Sequence, residues 1–282
     1  MEFKPRVPRE DVNVSPTHPL REAATLVAGV AAIVAVAFGL LAWSVDFLVT
    51  WIPPETEARV FAHLGVELAG ARSTADDERM ETARRVLERL VARWPDAPYP
   101  SFRVEVFDSE DLNAGALPGG LIVVTSRFLD EVETENELAF VLGHELGHFR
   151  GRHHLRRLGR GAAWGLGLAV LGGSGNTVPN LASLISGLTA RGFDREQERD
   201  ADHFGLKLVQ ADYGHVAAAS DFLERLDEGG RLIAYLSTHP ATGERIEELR
   251  DFAREQGWVL TGRPVPLPAS WRSAPTTEGS SR

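Results

Sequence analysis

The sequence predicts an α+β chain, mostly α, in which one N-terminal transmembrane helix precedes a helical domain with a small sheet. Three observations lead there. The stretch from Ala23 to Val45 is uncharged and mostly apolar, two short segments carry β patterning, and the remaining patterned segments repeat at helical spacing with recognisable starts and stops.

The span comes first in the chain. Ala23 to Val45 is 23 residues between Glu22 and Asp46. At about 1.5 Å per residue this suffices for a hydrocarbon core of about 30 Å. The run is longer than the core of a signal peptide and starts more than twenty residues in, which favours a retained anchor over a cleaved leader. Lys4, Arg6, Arg9 and Arg21 precede it and only Arg59 follows within twenty residues, so the basic residues place the N-terminus in the cytoplasm and the rest outside. Trp43 and Trp51 suit the outer interface. The expected organisation is therefore a tail at 1–22, an anchor in membrane lipid at 23–45, a domain at 46–260, and a flexible Pro, Ser, Thr and Gly-rich tail at 261–282.

Beyond Pro53-Pro54, helices are expected from about Glu55 to Ala69 and from Asp76 to Trp94, the second with Met80, Ala83, Val86, Leu87, Leu90 and Val91 on one face. Phe102 to Asp108 alternates as a half-buried strand, and Leu121 to Thr125 reads as a more buried one. Thr134-Glu135-Asn136-Glu137 is a capping-box start for a helix reaching Arg150. Gly161 to Ala190 carries no charge but is broken by glycine and proline, and reads as a buried helical hairpin rather than a membrane-dipping one. Asp194 to Gln197 is a second capping start, opening a helix to about Gln210; helices near His215 to Leu226 and Thr242 to Gln256 complete the domain.

Composition narrows the chemistry. A net charge of −10 argues against nucleic acid as the main partner, and the absence of Cys removes disulfides, thiolate metal sites and cysteine nucleophiles. Any metal must be held by His and carboxylates.

His144-Glu145-Leu146-Gly147-His148 falls at the end of the helix that starts at Thr134. Two imidazoles four residues apart stack on one helix face, where both can ligate one zinc ion, and Glu145 beside them can act as base towards a water. The pattern reads as a zinc-dependent peptidase. A third protein ligand is needed, and the sequence offers two. His154 extends the motif to the metzincin spacing through Gly151, but metzincins need a downstream Met-turn, and Met1 and Met80 both lie upstream. His153 and His154 then belong to the surface or to the layer behind the ligands. Glu198 lies four residues before Asp202 on a capped helix, so Glu198 can bind zinc while Asp202 accepts the other ring N–H of His144 or His148. Read without the histidine motif, the same segment is a solvated charged face.

With these segments in hand, the chain from about Glu55 to Arg250 resembles the gluzincin metallopeptidases of HtpX, BepA and the CAAX prenyl protease, metallopeptidase family 48. Asn113, Ala114, Gly115, Ala116, Leu117 and Pro118, followed by Gly119-Gly120, resemble that family's Asn-Ala-Phe-Ala-Leu-Pro-Gly-Gly element. The strand, the helix and the zinc motif then come in the family's order. The resemblance implies a zincin-like metallopeptidase domain with one Zn2+ per chain. It also implies Glu198 as third ligand, from a Ser-Arg-x-x-Glu-x-x-Ala-Asp pattern in which Asp194 replaces Ser. Thr238-His239-Pro240 and Arg245 match a family segment that lies near the zinc, where it gates the site or stabilises the transition state. Gly115 stands where the family has an aromatic residue. One clear span makes the chain resemble the single-anchor bacterial members, which implies an inner-membrane protein with its catalytic domain on the periplasmic side.

The expected function is a membrane-anchored zinc endopeptidase acting on unfolded or damaged polypeptides, which bind extended along residues 113–118. Its rivals are a zinc-binding chaperone or scaffold without turnover, which would not need Glu145, and a hydrolase of a non-peptide bond.

Overall fold

The computed structural model describes residues 18–62, 77–161, 193–229, 239 and 243–271. The chain divides into two units, residues 1–44 and residues 45–282. Helix α1 (Pro19–Trp51) begins in the first. Among the described residues it is the one helix long and apolar enough to cross a membrane, with a mean hydropathy of 2.5 in its most apolar window, none of which is buried. Leu26, Val30, Ile33 and Leu40 all stand exposed along it. The run from Ala23 to Val45 lies inside this helix.

The second unit contains α2 (Pro54–Val60), α3 (Asp77–Ala92), β1 (Arg103–Phe107), β2 (Ala114–Leu117), β3 (Leu121–Thr125), α4 (Ser126–Glu131), α5 (Glu135–Arg150), α6 (Arg195–Tyr213), α7 (Asp221–Gly229) and α8 (Gly243–Glu255). Residues 153–161 are also helical. The sheet order is β1-β3-β2. β1 runs parallel to β3, and β2 runs antiparallel to it with Ala114 opposite Val124 and Leu117 opposite Leu121. β3 is central and covered on both faces, which is why its sequence is an uninterrupted apolar run. Among the described residues β2 is left as an edge.

Apolar side chains from every layer meet in one core: Leu87 and Leu90 of α3, Val104 and Ile122 of the sheet, Leu138, Leu142 and Leu146 of α5, and Val209 of α6. Each contributes about 1.5–3 kcal/mol on burial. α5 is buried from Asn136 to Phe149, so the helix that bears the two-histidine motif runs through the middle of the domain rather than along its surface. The period-3.6 pattern read in the sequence therefore understated how much of α5 is covered.

Two sequence expectations change. Thr134 caps α5 by accepting the Glu137 N–H, but the Glu137 carboxylate turns away from the box to accept the Glu133 N–H at 2.9 Å and to meet Arg225 at 2.6 Å. The capping start at Asp194, by contrast, forms both of its bonds. The supposed flexible tail from Thr261 is packed down as far as Trp271: Val265 exchanges hydrogen bonds with the start of α5, and the buried Trp271 indole donates to the Leu129 carbonyl at 3.0 Å. The hairpin expected at 161–190 and the end of the helix expected at 55–69 lie outside the described residues.

The helix after Pro53-Pro54, read as ordinary packing, carries a buried carboxylate. Glu57 is 1% exposed. Its oxygens accept from the Gly119 N–H at 2.9 Å and the Tyr99 hydroxyl at 2.7 Å, and meet His154 Nε2 at 2.8 Å and Arg152 at 3.1 Å. Burial alone would raise its pKa, but His154, Gly119 and Tyr99 outweigh it and bring the group from 4.5 down to about 2. Because the folded value is depressed, this stabilisation is complete above about pH 4.5 and is lost as pH falls towards about 2. Glu57→Gln is expected to lower Tm by several degrees at neutral pH and to flatten the acid loss of Tm below about pH 4.5. Thermal unfolding of both proteins across that range checks it.

Candidate metal centre

The site is built where α5 and α6 touch backbone to backbone. A Cβ on Gly147 would stand 2.6 Å from Ala201 Cα, and one on Gly205 would stand 2.7 Å from the His144 nitrogen. No side chain fits in either gap. The close approach brings the short carboxylates of α6 within reach of the imidazoles of α5.

Four side chains converge there. His144, His148, Glu198 and His239 each direct one ligand atom into a group within 4.8 Å of one another, and all four are buried. His144 Nε2 lies 3.0 Å from His148 Nε2 and 3.6 Å from Glu198 Oε2, and His148 Nε2 lies 3.5 Å from Glu198 Oε1. His239 Nδ1 closes the figure at 3.1 Å from His144 Nε2 and 3.0 Å from Glu198 Oε1. A tetrahedral zinc with ligands at about 2.0–2.1 Å has donor-to-donor edges of about 3.3 Å, so these separations fit one small cation. The donor set of three imidazoles and a carboxylate suits zinc among the common divalent metals.

The electrostatics keep His148 and Glu198 unprotonated and pull His144 the other way. Burial holds His148 well below the usual imidazole range, against the pull of Glu198. Glu198 stays well below the usual carboxylate range because His239 and Arg245 outweigh the effect of its burial. His144 is raised: burial opposes this, but its bond to Asp202 and the charges of Glu198 and Asp202 prevail. Asp202, itself lowered by Arg245 despite burial, meets His144 Nδ1 at 2.8 Å. Arg245 Nε and Nη2 donate to Asp202 at 2.5 and 2.7 Å, and Arg245 Nη1 sits 2.8 Å from Glu198 Oε2.

Glu145 is wholly buried beside this group, with its Oε1 3.7 Å from His239 Nε2. Among the described residues neither of its oxygens has a hydrogen-bond partner. A buried carboxylate with its acceptors unused costs stability. A cleft of about 320 Å³ opens against Glu198 and Arg245, lined also by Phe193, Arg195, Arg199, Glu244 and Glu248.

Residues 77–253, more than half of the chain, match the sequence model described as Peptidase family M48. The chain belongs to that family. The mitochondrial metalloendopeptidase OMA1 of Arabidopsis thaliana is 31% identical over 177 residues, covering 62% of this chain and 36% of the plant protein. The beta-barrel assembly-enhancing protease of Yersinia pestis is 28% identical over 185 residues, 59% of this chain and 37% of that one. The metalloprotease LoiP of Escherichia coli strain K12 is 24% identical over 221 residues, 76% of this chain and 87% of that one. The chain spans little more than a third of the length of the OMA1 and Yersinia relatives.

For an M48 chain, the sequence-derived site residues fall in three places. His144, His148 and Glu198 stand together, with Glu145 beside them and Asp202 behind His144. His239 joins the donor group itself. Arg245 pairs with Asp202 and Glu198 and holds these carboxylates in place. Asn113 to Pro118 contain the edge strand β2, where Gly115 has open space in place of the family's aromatic side chain. His154, the metzincin candidate, is bonded to Glu57 and takes no part. Sequence reading missed Phe193, whose ring stacks on His148 with centroids 3.8 Å apart, and it left His153, 3% exposed, undecided between surface and support. The one available sign of His153 was its position five residues past His148 and two past Gly151.

Proposed function

We propose that this chain is a membrane-anchored zinc metalloendopeptidase that cleaves unfolded or damaged polypeptides. The observation that carries the reading is the convergence of His144, His148 and Glu198 at ligand spacing beside a buried Glu145 whose oxygens have no hydrogen-bond partner among the described residues. Zinc bound there supplies a Lewis acid that polarises a peptide carbonyl and makes a bound water acidic near neutral pH.

The chain's own residues do the rest. His144, His148 and Glu198 hold the cation, Asp202 keeps His144 in the tautomer that leaves Nε2 free, and Arg245 keeps Asp202 and Glu198 ionised and in place. Four protein donors would close the site, and catalysis needs one position open, so His239 swings aside when substrate and water enter. Displaced, it remains within reach to donate to the developing oxyanion. Glu145 takes the proton of the attacking water at a carboxylate oxygen and returns it to the leaving amine.

Substrate lies extended along the edge strand β2, where backbone pairing binds with little demand on sequence. The void over Gly115 relaxes that demand further. α1 anchors the enzyme in lipid, in the inner membrane of a bacterium, with residues 46–260 as catalytic domain on the periplasmic side. The names of its relatives are consistent with such a role, since they are metalloendopeptidases and a protease that enhances barrel assembly.

The full chain in detergent is expected to degrade unfolded casein, to stop on addition of a zinc chelator and to resume with added Zn2+. Cleavage that survives chelation would reject the metal mechanism, and zinc binding without cleavage would favour the scaffold.

A further inference from the structure

Resting on the zinc reading, we propose that His153 is a positioning residue: its Nδ1 accepts the Nδ1–H of His148 and so fixes the ring that presents Nε2 to the metal. A neutral imidazole carries one N–H, so a ring that offers Nε2 to a cation must carry its hydrogen on Nδ1. Inside a protein that hydrogen needs an acceptor. For His144 the acceptor is Asp202. For His148 the facing atom is His153 Nδ1, 3.0 Å away.

The chain is shaped to put it there. α5 ends at Arg150, and Arg152 takes a left-handed φ of 54°, a costly conformation for a residue with a side chain. The turn opens a short helix from His153, whose ring meets His148. The His153 ring then folds over Gly151 so closely that a Cβ on that residue would lie 2.1 Å from His153 Nε2. Position 151 must be glycine for this ring to reach His148. On the face of the His148 ring, Phe193 stacks at 3.8 Å with planes 20° apart, and Arg157 lies 4.5 Å above the Phe193 ring in turn. Phe193 blocks rotation of His148 and offers no acceptor, which leaves the task to His153.

The two zinc imidazoles are thus held differently, one by a carboxylate and one by another imidazole. The direction of the bond is fixed by use: His148 must donate and His153 must accept, with the hydrogen of His153 on Nε2.

Zinc affinity of the full chain, measured by competition with a chromophoric chelator, tests this alongside thermal unfolding of each metal-free protein. His153→Phe keeps the ring volume without an acceptor, and His153→Leu does so with less bulk should the Phe variant not fold. His153→Asn places an amide oxygen close to where Nδ1 stood. The acceptor-free variants are expected to bind zinc about 10–100-fold more weakly, and the Asn variant to return close to wild type. Wild-type affinity in His153→Phe or His153→Leu, or equal weakening in the Asn and acceptor-free variants in step with their metal-free stability, overturns the proposal. A wild-type chain that binds no zinc overturns the metal centre itself, and this inference with it.

Discussion

Glu145→Gln is expected to lower kcat on unfolded casein by about 10²–10⁴-fold while leaving one zinc bound per chain. The amide is nearly the shape of the carboxylate, so the packing around a wholly buried position is preserved, and the substitution removes only the ability to take a proton. Glu145 is not among the four converging donors, so nothing in the grip on the cation depends on its charge. The variant should also be no less stable than wild type, because the Glu145 oxygens, without a partner among the described residues, are a burden on the fold that a neutral amide lightens. Single-turnover cleavage and metal content, measured on the same preparation, separate the two consequences. A Gln variant that cleaves at the wild-type rate would remove Glu145 from the chemistry.

Arg245→Met is expected to be the most destabilising of the single substitutions, at about 3–5 kcal/mol. Arg245 is 6% exposed and ties together two buried carboxylates, Asp202 and Glu198, which belong to one helical face and would otherwise repel each other. Met fills much of the same volume, so the loss is electrostatic: two ionised groups remain in a dry site without their cation. Part of the damage is expected at the metal, since Asp202 would no longer be held against His144. The exposed pair of Arg254 and Asp251 on the same helix offers the contrast, because such pairs contribute only about 0–1 kcal/mol. Denaturant unfolding of the metal-free proteins should therefore separate Arg245→Met clearly from Arg254→Ala. Equal midpoints for the two would show that the Arg245 cluster adds nothing to the fold.

How much of this was legible beforehand depended on whether a residue's neighbours were local. α6 could be read to within a few residues because Asp194, Gln197 and Gly214 are adjacent in sequence to the ends they cap. β3 could be read because a central strand must be apolar on both faces. The pairing of Glu198 with the histidines was reachable because helical spacing puts Asp202 on the same face.

What could not be read depended on distant partners. Glu137 has the spacing of a capping box, yet its carboxylate is claimed by Arg225, 88 residues away. Glu57 looks like a surface residue of a short helix until Gly119, Tyr99 and His154 arrive from three other segments. Trp271 follows a stretch of tail-like composition, yet it joins the core and its indole finds the Leu129 carbonyl, both contacts with distant residues. The pairing of Arg245 with both carboxylates of α6 was likewise out of reach, because it joins a residue of α8 to partners more than forty positions earlier in the chain.

The central claim is that His144, His148 and Glu198 hold one zinc ion. It is tested most directly by elemental analysis of the purified full chain together with its Glu145→Gln variant, after exhaustive removal of loosely bound metal. One zinc per chain in both proteins is the result predicted, and less than a tenth of an equivalent in both would contradict it.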